Sequence, residues 1–167
     1  MNLYVEQRND GRPGDGSHNL PFNGDGDGKL DAILASVRTR SDVVLNIGPG
    51  LYPFHGVGFY NGYDQLADGV AIKGCGPTRT KLLLTDAVEQ GNGNHFCCGL
   101  SNWFDGKGGI TVSDLTIDCN ARELTKKYPN LGAVGINLFG RDNSIQNVCI
   151  EDAAGLRKEI IGTLHEE

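Results

Sequence analysis

Two stretches of the chain carry one hydrophobic pattern. Ile110-Thr111-Val112-Ser113-Asp114-Leu115-Thr116-Ile117-Asp118 returns as Asn143-Ser144-Ile145-Gln146-Asn147-Val148-Cys149-Ile150-Glu151, and the offset is constant: 145 − 112, 148 − 115 and 150 − 117 all equal 33. Alternation puts Leu115 and Ile117 on one strand face and Thr116 and Asp118 on the other. The second copy does the same with Val148 and Ile150 against Cys149 and Glu151. A strand that recurs at such a period predicts a coil of stacked rungs around a shared apolar column.

Earlier segments fit the same scheme. Val43-Val44-Leu45-Asn46-Ile47 reads as a strand closed by a Gly48-Pro49-Gly50 turn, after which Leu51-Tyr52-Pro53-Phe54 resumes an extended path with Pro53 at an edge or bend. Val70-Ala71-Ile72-Lys73-Gly74 follows, then a turn at Gly76-Pro77 and a strand at Thr80-Lys81-Leu82-Leu83-Leu84-Thr85. Rung starts at Val43, Val70, Ile110 and Asn143 are spaced by 27, 40 and 33 residues, with loop insertions at 89–109 and 120–132 in the longer gaps. Val134-Gly135-Ile136-Asn137-Leu138-Phe139 supplies a further strand on another side of the coil.

The ends of the pattern differ. Residues 1–28 hold a short strand, Leu3-Tyr4-Val5, and then a loop rich in Gly, Asp, Asn and Pro. Leu30, Ile33, Leu34 and Val37 fall at helical spacing, so residues 29–39 form a helix, capped by Asp25 or Asp27, that lids the N-terminal end of the column. Rungs occupy 43–155. The tail at 156–167 breaks the pattern, so it either caps the last rung or marks the chain as the front part of a longer solenoid, and the second is expected. The reading is one all-β domain of about four parallel rungs with an N-terminal capping helix, the chain being truncated if the solenoid continues.

Composition narrows the function classes. Twenty-five glycines in 167 residues argue for many tight turns between short strands. A net charge of −6 and a pI near 5.1 disfavour a nucleic-acid partner, which needs a basic face. No apolar run approaches the ~20 residues that span a bilayer, so no membrane segment is expected, and Met1-Asn2-Leu3-Tyr4-Val5 does not open a signal peptide. The five cysteines lack C-x-x-C spacing and read as free thiols.

In order along the chain, Gly26-Asp27-Gly28-Lys29-Leu30-Asp31-Ala32-Ile33-Leu34-Ala35 resembles the entry helix of the pectate-lyase-like superfamily. Gly48-Pro49-Gly50-Leu51-Tyr52 is similar to its turn after the first strand, and Val70-Ala71-Ile72-Lys73-Gly74-Cys75-Gly76 to its glycine-bounded second strand. The resemblance covers roughly residues 24–155. It implies a right-handed parallel β-helix, a polysaccharide ligand along an outer sheet face, an extracellular address, and kinship with polysaccharide lyases or glycoside hydrolases acting on acidic glycans. It supplies no catalytic residues: the Asn-Thr-Asp, Asp-Asp, Gly-His-Gly and Arg-Ile-Lys motifs of the glycosidase branch are absent. An inactive fragment, or a non-enzymatic glycan-binding or adhesive module, remains the alternative.

Asp118 and Glu151 are the leading site candidates. The 33-residue register stacks them on neighbouring strands ~4.8 Å apart, close enough to share a calcium ion or to split their pKa values. Arg122 stands where it can contact an acidic sugar or neutralise the pair, and the opposing account is a solvated acidic ladder relieved by nearby cations. Trp103, beside Phe104, offers a ring for sugar stacking or anchors its own loop. Asn23-Gly24-Asp25-Gly26-Asp27-Gly28-Lys29-Leu30-Asp31 imitates the first part of an EF-hand loop, but Leu34 stands where the twelfth-position carboxylate belongs, so a helix cap is the better account. His18, His55, His95 and His165 show no ligand spacing and receive no role.

Overall fold

The computed structural model describes residues 1–57, 66–102 and 106–155. The order of elements is β1 (Asn2–Glu6), β2 (Phe22–Asn23), α1 (Lys29–Val37), β3 (Val44–Ile47), β4 (Gly50–Phe54), β5 (Ala71–Lys73), β6 (Thr80–Leu84), β7 (Val88–Gly91), β8 (Asn94–Ser101), β9 (Thr111–Asp118), α2 (Ala121–Lys127), β10 (Asn130–Asn137) and β11 (Ser144–Glu151). The fold is mostly β and is built on a curled parallel sheet.

Register within that sheet follows the repeat. Leu45 pairs with Ile72, Ile72 with Val112, and Val112 with Ile145. On the other side of a bend, Tyr52 pairs with Leu82, Leu82 with Ile117, and Ile117 with Ile150. β3–β4, β5–β6, β9 and β11 are therefore four successive layers. The first two are split by turns at Gly48-Pro49 and at 74–79, and the last two are single strands of eight residues. Tyr52, Leu82, Ile117, Leu45, Ile72 and Val112 have at most traces of exposed surface, which makes two adjoining apolar columns.

Left-handed residues set the corners between columns and between layers. Asp42, Gly69, Gly109 and Asp142 each stand one residue before a layer start, with φ of 64°, 76°, 71° and 59°. Only glycine and, less readily, Asp or Asn adopt that conformation cheaply, so the four positions hold no other residue type. A second left-handed pair, Asp114 and Asn147, kinks β9 and β11 at mid-strand, and Asn147 Nδ2 donates to Asp114 Oδ1 across the layers (2.8 Å). The kink is why Val112, Leu115 and Ile117 all face inward although simple alternation would turn Val112 away. Thr116 also ends up buried, because the turn at Pro77 covers it and its Oγ1 donates to the Pro77 carbonyl (2.8 Å).

A second sheet forms the facing wall. β8 and β10 run parallel with Cys97 opposite Ala133 and Leu100 opposite Ile136, and β7 joins β8 in antiparallel fashion. Two stretches read as loop insertions therefore carry structure: 89–109 contains most of the β7–β8 hairpin, and 120–132 contains α2 and the start of β10. Glycines let the walls meet, since a Cβ on Gly99 would lie 2.6 Å from the Gly135 carbonyl and 2.9 Å from Ile117 Cγ2.

Helix α1 buries Leu30, Ile33, Leu34 and Val37 and packs beside β4, as its apolar stripe requires. Its N-terminus departs from expectation. Neither Asp25 nor Asp27 caps it: Gly28, at φ 71°, occupies the cap position with no side-chain hydrogen bond. Residues 156–167 lie outside the described residues, so the expectation about the tail goes with them.

Candidate functional site

The repeat brings Asp118 and Glu151 directly opposite one another on β9 and β11. Between them lies a residue that periodicity did not single out. Lys81, from β6, puts its Nζ 2.6 Å from Glu151 Oε2 and 3.5 Å from Asp118 Oδ2. The ion pair with Glu151 holds the Lys81 ammonium above its ordinary pKa despite some desolvation, so at neutral pH the group is a cation and not a base. Asp118 is also turned toward its own chain, accepting from the Asn120 backbone N–H (3.0 Å). Arg122 opens α2, exposed, with its backbone N–H held by Asp152 Oδ2 (3.0 Å).

These residues do not fit a calcium ion. Calcium takes six to eight oxygens, whereas here two carboxylates share one ammonium, and among the described residues no group of three His, Cys, Asp or Glu side chains could hold a metal. In the EF-hand-like segment the side chains of Asn23, Asp27 and Asp31 are engaged by protein donors. Asn23 Oδ1 accepts from the Arg8 and Asp25 N–H groups, and Asp31 accepts from the His55 and Gly56 N–H groups. Trp103 and Phe104 lie outside the described residues.

Outward positions of the sheet form polar ladders. Asn46 aligns with Lys73, Lys73 with Ser113, and Ser113 with Gln146, Ser113 itself being buried; Lys81 aligns with Thr116 and Thr116 with Cys149, but the Pro77 turn covers Thr116 and interrupts that row. The β5–β6 layer contributes Lys73, Arg79 and Lys81, and Lys73 and Arg79 are exposed. A cationic layer thus adjoins the acidic pair.

A second polar cluster was not legible in sequence. Phe54 pairs with Leu84, so the residues that follow them, His55 and Thr85-Asp86, leave the sheet at one corner. Asp27 joins them there, its Oδ1 accepting from Thr85 Oγ1 (2.7 Å) and its Oδ2 lying 3.2 Å from His55 Nε2. Desolvation alone would lower the His55 pKa, but the Asp27 hydrogen bond and the charges of Asp31, Asp27 and Asp86 raise it overall. Alongside, Asp86 accepts from the Tyr128 hydroxyl and from Lys127 Nζ, and the His95 ring stacks on Tyr128 at 4.5 Å. Burial works against the Asp86 carboxylate, yet these donors bring its pKa below the usual value. The cluster draws on α1, β4, β6, β8 and α2 at sequence separations up to about one hundred residues, and no local spacing encodes it.

Compared with known proteins, the chain matches no family model, no curated protein and no solved structure. No helix among the described residues is long and apolar enough to cross a membrane.

Proposed function

We propose that the chain is a carbohydrate-active protein of the right-handed parallel β-helix type, related to polysaccharide lyases or glycoside hydrolases, that engages an acidic glycan along its outer sheet face. The observation that supports this reading is the gathering of Lys73, Arg79 and Lys81 in one layer of the sheet, Lys73 and Arg79 being exposed. An extended polymer laid across stacked strands meets repeating polar contacts, and cations of one layer suit carboxylate groups on the sugar.

Binding is favoured over bond cleavage by one specific feature. Lys81, the best-placed candidate base, is tied to Glu151 and held protonated, so it is not free to take a proton. The second reading is therefore a glycan-binding module without turnover. Incubation with polygalacturonate separates the two: rising unsaturated-uronide absorbance supports a lyase, and retention on an affinity gel without it supports the module. Loss of retention in a Lys73→Ala/Arg79→Ala/Lys81→Ala variant is expected in both cases. Equal retention on a neutral glucan gel, unaffected by that variant, would reject the acidic-glycan reading.

A further inference from the structure

The last layer is unfinished on one side. β11 pairs with β9 along its length and has no strand partner on its other edge among the described residues. Ile145 and Ile150 are 54 % and 43 % exposed, although Val112 and Ile117, the residues they pair with, are fully buried. With Val148 they border an apolar groove of about 480 Å³ whose floor is Val134, Gly135 and Ile136 of β10. The opposite end of the sheet differs, because there β1 extends the Leu45 column with Leu3, the two-residue β2 pairs with β1, and α1 packs beside β4. β11 also lacks the lysines and prolines that protect edge strands left to solvent, and its one charge is the terminal Glu151.

We infer that this edge binds an extended polypeptide segment by parallel strand addition. The partner is a strand with apolar residues at the spacing of Ile145, Val148 and Ile150 and with Asn or Asp in the place of Asn147. The established β9–β11 interface defines both requirements by continuity. Every pair in this sheet is parallel, and β11 covers β9 with side chains at those offsets. Residues three apart share a face only if the strand is kinked between them, and the kink here is a left-handed Asp or Asn. An ordinary alternating strand would turn one of its apolar residues to solvent.

A second copy of the chain fits less well. Antiparallel pairing that brings Ile145 against Ile150 of the copy sets Val148 against Asn147, so the two kinks miss each other. Head-to-tail stacking fits less well too, since the opposite edge is divided between the two-residue β2 and β4, beside which α1 packs, and neither matches the eight residues of β11.

The test uses the whole chain and a fluorescein-labelled, end-blocked peptide with the sequence of residues 110–118, which carries the required pattern. Fluorescence anisotropy should show saturable binding. It should weaken at least tenfold for an Ile145→Asp/Ile150→Asp chain, and equally for a peptide carrying Leu115→Asp, a change that leaves the protein's own folding untouched. Hydrogen exchange should slow at β11 amides when the peptide is added. Three results would overturn the inference: no saturable binding to the folded chain, equal binding of a scrambled peptide, or dimerisation of the chain that the Ile145→Asp/Ile150→Asp variant abolishes and the peptide does not disturb.

Discussion

Truncating the residues of one column should cost stability in proportion to how completely each is enclosed. Ile117 is fully buried, sandwiched between Leu82 on β6 and Ile150 on β11, with Gly99 of the facing sheet against its Cγ2. Its replacement by alanine removes three buried carbons and leaves a cavity that the rigid backbones above, below and opposite cannot close, so a loss of about 3–4 kcal/mol is expected. Ile150 keeps 43 % of its surface exposed and is covered by one layer only. The same change there forfeits roughly half of the transfer term and opens no enclosed cavity, a loss of about 1 kcal/mol. Urea unfolding followed by circular dichroism measures both, and unchanged m-values would show that the difference is one of stability. Equal losses at the two positions, or a larger loss at Ile150, would refute the stacked column and the open end together.

Three further outcomes follow from other parts of the molecule. Gly74→Ala should destabilise by about 2 kcal/mol or more, because the added Cβ would fall 2.2 Å from the Asp114 carbonyl; Asp142→Gly should be near neutral, since φ there is already 59°, and thermal melts compare the two. His55 has its pKa raised from 6.5 by its carboxylate neighbours, so its contribution is fully present below that value and is lost as pH rises through the higher folded value. The melting temperature of the native chain should therefore fall more between about pH 6 and pH 8 than that of His55→Gln, and parallel curves would remove the His55–Asp27 contact from the account. Burial pushes the Cys97 and Cys98 thiols up to about 12 and Cys119 to about 11, while Cys75 and Cys149 are exposed. Iodoacetamide at neutral pH should alkylate those two alone, and labelling at Cys97 before unfolding would contradict the buried second sheet.

Much of the architecture was legible because the sheet repeats itself. A layer can rest on its neighbour only if inward residues recur at matching positions, so the 33-residue echo of 110–118 in 143–151 and the starts near Val43 and Val70 give the register of the main sheet. Helix α1 was equally visible, its apolar stripe being a local property of nine residues. Of the second sheet only β10 was, foreshadowed by the strand read at 134–139; β8 was not, since Phe96-Cys97-Cys98-Gly99-Leu100 is a continuous buried run without alternation, and only its pairing with β10 identifies it as a strand. Side-chain partnerships also escaped: the sequence places Asp118 opposite Glu151, but Lys81 reaches them from 37 and 70 residues away and turns a pair of carboxylates into an ion-paired group. Periodicity fixes which residues stack because stacking is a one-dimensional problem. Which side chains meet across turns and between sheets depends on how the curled sheet closes on its neighbour, and that is decided by packing in three dimensions.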